Sequence, residues 1–114
     1  MTEIAIVTLD QFPNYDLMSV AGEIDLSNAP DLLDRARLSL HRAAAFVLDL
    51  SAIQFLDSAG IRLLDSIAIE SAKMGNRFVV VGNPVVGRLI EVAGLEQVVD
   101  VVDSQAAAIS AATT

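Results

Sequence analysis

The sequence predicts a single α/β domain built on a mostly parallel sheet, with an N-terminal antiparallel strand and about four helices. Short segments rich in β-branched residues alternate with longer segments of helical periodicity, in the order β-β-α-β-α-β-α-β-α. Two of the strand segments are almost wholly apolar, which is typical of strands that helices cover on both faces. Successive strand–helix–strand units predict parallel pairing through right-handed crossovers.

Composition narrows the class of protein further. The chain has 114 residues, so residues 1–114 are expected to form one domain, and 54% of them are hydrophobic against 19% charged, which favours a folded chain. A formal charge of −8 argues against nucleic acid or an anionic membrane as a direct partner. The apolar runs are shorter than the ~18 residues of a membrane span and no secretory signal is evident, so a cytoplasmic location is expected. The absence of cysteine excludes disulfides and thiolate chemistry.

The first two strands are predicted at Glu3–Leu9 and Leu17–Glu23, which are short and contain β-branched residues. A polar connector, Asp10–Asp16, lies between them and contains a proline. This pattern predicts a hairpin-like pair at the start of the chain.

A helix is predicted over Ala29–Arg42, where apolar residues recur at helical spacing. Asn28 is the expected N-cap, and Pro30 is tolerated in the first turn. Asp31 and Arg35 stand four residues apart and are expected to form an ion pair along the helix. The positions expected to face inward are Ala29, Leu32, Leu33, Ala36, Leu40 and Ala43.

The centre of the chain is predicted to hold a buried strand, a loop and a second helix. The strand is Ala44–Leu50, and the helix runs over Ala59–Met74 until Gly75 ends it. The loop between them carries Ile53, Phe55 and Leu56. Phe55 could belong to the core or to a contact surface, and the core is the favoured assignment. The buried stripe of the helix is predicted at Ile61, Leu64, Ile67, Ala68 and Ala72.

The last third of the chain repeats the alternation. A buried strand is predicted over Arg77–Gly82, followed by a short helix that Asn83 caps and Gly94 ends. A last strand is predicted at Val98–Val102, with Asp103 capping a final helix that runs to about Ala112. In the short helix, the residues expected to face inward are Val86, Leu89, Ile90 and Ala93.

The sequence lacks the motifs that several kinds of catalytic site require. The chain has no glycine-rich dinucleotide motif and no phosphate-binding P-loop, and its only histidine, His41, lies near the end of a predicted helix, where a solvated side chain is the ordinary interpretation. Acids at strand ends, namely Asp25, Asp49, Asp57 and Asp103, could bind Mg²⁺, but such residues commonly cap turns and helices. No cofactor and no metal site is therefore predicted.

The segment Asp49–Gly60, which reads DLSAIQFLDSAG, is the most informative stretch. Ser58 stands at or next to the N-cap of the second long helix, where the free N–H groups favour an added anion by ~0.3–1 kcal/mol. Gly60 is expected to let another backbone approach the first turn, and Arg62 could pair with a phosphate. Two interpretations of Ser58 are therefore open: it carries a reversible phosphate, or Asp57 and Ser58 simply form an ordinary helix cap.

The segment DLSAIQFLDSAG resembles the signature of STAS domains, specifically the small anti-sigma factor antagonists of bacteria. The stretch Gly22–Ala29, which reads GEIDLSNA, is similar to the turn that leads into the first helix of this family. The resemblance implies a STAS-type fold in which Ser58 is phosphorylated by an anti-sigma factor serine kinase, with Asp57 and Asp25 as the neighbouring acids. Ala59 departs from relatives that have a second hydroxyl residue there, which leaves Ser58 as the acceptor in the motif.

The family implies a regulatory cycle rather than an enzyme. The unphosphorylated protein binds an anti-sigma factor of the serine kinase type and releases its sigma factor, phosphorylation of Ser58 reverses the binding, and a phosphatase restores it. Charge added at the interface is enough to block docking without a change of fold. Ile69, predicted on a polar helix face, could add to the contact surface, although a single exposed isoleucine is also ordinary. The residues expected to meet the partner are Asp25, Asp57, Ser58, Ala59, Gly60, Arg62 and Ile69.

Three alternatives remain at the level of sequence. The chain could be a STAS-type binding module that phosphorylation does not control, or a receiver-like phosphoacceptor domain with Asp49 near a strand end. The receiver lacks support because no acidic pair follows the first strand and the only lysine, Lys73, lies on a predicted helix. A small hydrolase or transferase that uses Asp25, Asp57 and Ser58 would need a base for the serine.

Overall fold

Residues 4–114 are described by a computed structural model, in which six strands and four helices alternate along the chain. The elements are β1 (Ala5–Gln11), β2 (Asp16–Ile24), α1 (Ala29–Arg42), β3 (Ala45–Asp49), β4 (Ile53–Leu56), α2 (Ser58–Met74), β5 (Arg77–Val81), α3 (Pro84–Val92), β6 (Asp100–Val102) and α4 (Gln105–Thr113). The start of the first predicted strand, Glu3, lies outside the described residues.

All six strands belong to one sheet. The strand order is β1-β2-β3-β5-β6, and β4 pairs with the end of β2 beyond the point where β3 pairs with its beginning. β1 is antiparallel to β2, and every other pairing is parallel. The predicted fold class is therefore confirmed, including the antiparallel N-terminal strand and the four helices.

The prediction of a loop over residues 53–56 is wrong, because these residues form the short strand β4. Gly22 pairs with Ile53 but Glu23 pairs with Phe55, so Gln54 is an extra residue in β4 and the register shifts there. The shift breaks the alternation that would place Ile53 and Phe55 on the same side. Ile53 and Leu56 are buried whereas Phe55 is 50% exposed, so the expectation that Phe55 belongs to the core is also wrong.

Helices cover the two faces of the sheet unequally. The larger core lies between the sheet and α1, α2 and α3, and its fully buried residues include Met18, Phe46, Leu64 and Ile90. On the other face, α4 contacts β3, β5 and β6, where Ala108 and Ala112 pack on the valines of the central strands. The continuous apolar character of β3 up to Asp49, and of all but the first residue of β5, follows from this cover on both sides.

The helix ends agree with the sequence at some positions and differ at others. Asn83 accepts a hydrogen bond from the Val86 N–H and caps α3 as predicted, and Gly75 ends α2 in the left-handed conformation, with φ of 74°. Asn28 makes no side-chain cap on α1, and Ser104 rather than Asp103 caps α4. The ion pair between Arg35 and Asp31 is present at 3.0 Å.

The predicted buried stripes are correct in their centres and wrong at some edges. Leu64, Ile67 and Ala68 of α2 are buried as expected, but Ile61 is half-buried and Ala72 is exposed. Leu63 and Ser71 are also buried in α2, although they were not assigned to its stripe. Leu33 of α1, Ala43 just after α1, and Leu89 of α3 are only half-buried, and Ala93 just after α3 is exposed. Among residues 4–114, no helix combines the length and the apolar character that a membrane crossing requires.

Candidate functional site

The carboxyl ends of β2 and β4 place two loops side by side. Ile24 pairs with Leu56, and the Asp57 N–H donates to the Ile24 carbonyl oxygen at 3.2 Å. Asp25 and Asp57 each follow directly on these paired residues. The predicted neighbourhood of Asp25 and the segment that ends at Ser58 is therefore present in the structure.

Asp57, not Ser58, is the N-cap of α2. Its backbone is extended, and its Oδ1 accepts hydrogen bonds from the N–H groups of Ala59 at 2.9 Å and Gly60 at 3.3 Å. Ser58 is consequently the first residue of the helix, it is exposed, and its hydroxyl makes no hydrogen bond to any of the described residues. The cap role that sequence left shared between the two residues belongs to Asp57, which leaves the Ser58 hydroxyl unengaged.

The loop that carries Asp25 is held by its own hydrogen bonds. Asp25 Oδ1 accepts from the Ser27 N–H at 2.8 Å and from the Ser27 hydroxyl at 2.5 Å. These two bonds, with the side-chain bond the stronger influence, lower the pKa of Asp25 below its ordinary value, so the carboxylate stays ionised. Asn28 braces the same loop, because its Oδ1 accepts from the Asp25 N–H and its Nδ2 donates to the Glu23 carbonyl.

The outer face of α2 continues the site away from Ser58. Arg62, one turn along, is exposed and takes part in none of the ion pairs of residues 4–114. Ile69, two further turns along the same face, is 48% exposed, as its position on the polar stripe predicted. Both side chains are therefore accessible to solvent on the outer face of α2.

Ala59 and Gly60 do not belong to that outer face. Both are buried, so the expectation that they contact a partner is corrected: they face the interior of the protein. A Cβ built on Gly60 would lie 2.2 Å from Leu56 Cδ1 and 3.3 Å from Ile24 Cγ2. The close neighbours of Gly60 are thus core side chains rather than the backbone segment that the sequence suggested.

The remaining candidate residues lie outside this site. Asp49 is buried at the end of β3, where burial, the largest influence, raises its pKa, but hydrogen bonds from Gln105 and Ser51 together hold the pKa below its ordinary value. This carboxylate fastens α4 to the sheet. His41 is exposed at the last turn of α1, the end of that helix opposite to the Asp25 loop. Within the described part of the chain, no three histidine or acidic residues are grouped closely enough to hold a metal ion.

Two exposed apolar residues lie at this site, Leu26 and Phe55, of which sequence reasoning missed the first and favoured the core for the second. Leu26 is 70% exposed in the turn after β2, and Phe55 is exposed on β4 beside Glu23. A leucine inside the otherwise polar turn Asp25–Asn28 was the available signal, since no strand or helix period requires an apolar residue there. The exposure of Phe55 had no comparable signal, because it depends on the register shift in β4.

The fold and sequence are similar to those of known regulatory proteins. The anti-sigma-F factor antagonist RsfB of Mycobacterium tuberculosis is 34% identical over 95 residues, which cover 80% of this chain and 75% of RsfB. An anti-sigma factor antagonist from Mycobacterium paratuberculosis has a crystal structure that superposes with a TM-score of 0.87 at 28% identity, covering 96% of this chain and 95% of that one. The unphosphorylated form of the anti-sigma factor antagonist SpoIIAA shares the fold, with a TM-score of 0.77 at 16% identity over 92% of this chain and 94% of that one.

The family assignment follows from a match over most of the chain. A sequence profile described as "Mlab, STAS domain" matches residues 7–103, which extend from β1 to the residue after β6. The same span holds both segments on which the resemblance was based. The chain belongs to the STAS domain family.

Proposed function

We propose that this protein is an anti-sigma factor antagonist. Its unphosphorylated form binds an anti-sigma factor of the serine kinase type and so frees the sigma factor, phosphorylation of Ser58 by that kinase ends the binding, and a phosphatase restores it. The observation that carries the proposal is the exposed hydroxyl of Ser58 at the first position of α2, which makes no hydrogen bond to any described residue. RsfB, which is 34% identical, is an anti-sigma-F factor antagonist, and this similarity supports the same role.

The geometry at Ser58 suits a phosphoacceptor. Because Asp57 holds the N–H groups of Ala59 and Gly60, modification of Ser58 leaves the cap of α2 intact. The positive end of the helix favours an anion at this position, and Arg62 can pair with it one turn along. The domain can therefore carry a phosphate on Ser58 without losing its fold.

The phosphoryl group must come from a separate enzyme. The Ser58 oxygen forms a bond to the γ-phosphorus of ATP, the bond from that phosphorus to its bridging oxygen breaks, ADP leaves, and the serine proton passes to a base of the kinase. Within residues 4–114, neither Asp25 nor Asp57 accepts a hydrogen bond from Ser58, and the Asp57 carboxylate is engaged by the helix. A hydrolase or transferase mechanism that begins at Ser58 has no positioned base in this arrangement.

A phosphate at Ser58 would act on binding directly. It adds ≈ −1.5 to −2 charge beside Asp25 and Asp57, at a surface that must lose water when a partner docks. A docked partner would bury that charge without a counter-ion, or the phosphate would keep the two surfaces from fitting together. We infer that the switch operates at the interface and leaves the core unchanged.

Phosphate uptake tests the acceptor. Recombinant anti-sigma factor kinase from the source organism, incubated with ATP, is expected to transfer about one phosphate to the native chain and none to Ser58→Ala. Ser27→Ala removes the other exposed hydroxyl of the site and is expected to take up phosphate like the native chain. Intact-mass measurement counts the phosphates. Uptake by Ser58→Ala equal to that of the native chain would place the acceptor elsewhere and overturn the proposal.

A further inference from the structure

Two large apolar side chains are displayed to solvent where β2 and β4 end. Leu26 is 70% exposed and Phe55 is 50% exposed, and neither belongs to the two hydrophobic clusters of the core. Ile24 of β2 pairs with Leu56 of β4. Leu26 lies two residues after Ile24, Ser58 lies two residues after Leu56, and Phe55 lies one residue before Leu56. The two side chains therefore share the strand ends that position Ser58.

Leu26 is held on a rigid support. Its neighbours Asp25 and Ser27 are bonded to each other, and Asn28 ties the loop to the Glu23 carbonyl at 2.9 Å and to the Asp25 N–H at 3.0 Å. Phe55 is fixed by the pairing of β4 with β2. Since both backbones are already ordered, covering these side chains costs little conformational entropy.

Charged groups lie at the same strand ends as the two apolar residues. Glu23 is the paired neighbour of Phe55, and the carboxylates of Asp25 and Asp57 lie at the adjoining loop and helix cap. Arg62 is the cation of this surface. This end of the sheet thus combines two exposed apolar side chains with more acids than cations, and a docking partner is expected to have the complementary potential.

We propose that Leu26 and Phe55 are the apolar anchors of the docking surface for the anti-sigma factor, and that this partner offers an apolar patch rimmed by lysine or arginine. This inference rests on the proposed function. Large apolar side chains at the centre of an interface carry a disproportionate share of binding energy, and the polar ring around them excludes water. The same arrangement would account for the proposed effect of a phosphate on Ser58, because the phosphate would add charge at the strand ends that carry both anchors.

The chain supplies a matched control for each anchor. Leu38 is a leucine of the same exposure, 72%, but it lies on α1, and Phe12 is a phenylalanine 43% exposed in the turn at the opposite end of β2. Leu26→Ala and Phe55→Ala are expected to weaken binding of the recombinant anti-sigma factor of the source organism by about tenfold or more each. Leu38→Ala and Phe12→Ala are expected to bind within about twofold of the native chain. Isothermal titration measures all four affinities.

Ser58→Glu, measured in the same series, separates the two proposals. If Ser58→Glu abolishes binding while Leu26→Ala and Phe55→Ala bind like the native chain, the anchors are wrong and the proposed function stands. If the native chain does not bind the anti-sigma factor, the proposed function itself fails. Circular dichroism checks that each variant is folded, and Leu26→Ala carries the test alone if Phe55→Ala unfolds.

The charge of the partner has a separate readout. Salt screens the attraction between these acidic groups and a basic partner, because the Debye length shortens as ionic strength rises. Raising NaCl from about 50 to about 500 mM is therefore expected to weaken binding several-fold. Unchanged or tighter binding at high salt would contradict a basic rim on the partner.

Discussion

Ser58→Glu is expected to weaken binding of the anti-sigma factor by at least about tenfold, which corresponds to ~1.4 kcal/mol. The substitution adds a negative charge to the proposed interface, at the strand ends that already carry Asp25 and Asp57. At the first position of α2 the same charge faces the positive end of the helix, which favours it by ~0.3–1 kcal/mol. Binding is therefore lost while the melting temperature stays equal or rises slightly, and titration calorimetry and thermal melts measure the two effects.

Ser110→Glu is the matched control for charge alone. Ser110 is exposed on α4, which packs over β3 and β5 on the other face of the sheet. The variant has the same net charge as Ser58→Glu and is expected to bind like the native chain. Equal weakening by both variants would mean that net charge, rather than the position of Ser58, controls docking. Unfolding of Ser58→Glu would contradict the interface account.

Gly22→Ala is expected to destabilise the domain by about 3 kcal/mol, a large part of the 5–15 kcal/mol that a typical domain has. Gly22 has φ of 106°, which side chains rarely permit, and a Cβ there would lie 2.4 Å from the Ile4 carbonyl oxygen. That oxygen also accepts a hydrogen bond from the Glu23 N–H at 2.9 Å. The backbone of β1 would have to move, which disturbs the pairing at the end of β2. Urea unfolding measures the loss.

Gly75→Ala separates backbone strain from contact. Gly75 also has positive φ, at 74°, but nothing lies within 4 Å of a Cβ built on it. Its substitution is expected to cost about 1 kcal/mol, the contribution of conformation alone. If both glycine variants lose the same free energy of unfolding, the contact between residue 22 and Ile4 has no energetic importance.

Most of the fold follows from local patterns in the sequence. The nearly continuous apolar run Ala44–Leu50 and the helical period of Ala29–Arg42 are strong signals: β3 lies within the first, and α1 has the bounds of the second. The Asn83 cap and the Gly75 stop depend only on residues close in the chain, so they were predictable as well. Each of these features has one dominant physical cause acting over a few residues.

The features that escaped prediction depend on contacts between distant segments. β4 has four residues and exists because β2 offers hydrogen bonds beyond the end of β3, which no local pattern reveals. The orientation of Phe55 depends on the register shift opposite Gly22. Asn28 had the right type and position for an N-cap. Its side chain is instead held by two competing hydrogen bonds, one that Oδ1 accepts from the Asp25 N–H and one that Nδ2 donates to the Glu23 carbonyl.

In the candidate site, too, local features were predicted and features set by distant contacts were not. Ser58 was singled out from residue types and from the resemblance, and its side chain is exposed. The assignment of Ala59 and Gly60 to the partner surface was wrong because the rotation of α2 about its axis is set by packing against Ile24 and Leu56. A motif written as a string does not say which of its residues face outward.

The central claim is that one phosphate on Ser58 decides whether the partner binds. The direct test is titration of the anti-sigma factor with one preparation of the protein in three states: unphosphorylated, phosphorylated by the kinase, and then treated with a phosphatase. We expect binding in the first state, at least about tenfold weaker binding in the second, and recovery in the third. Equal affinity in all three states, with Ser58 shown by mass spectrometry to carry the phosphate in the second, would contradict the account.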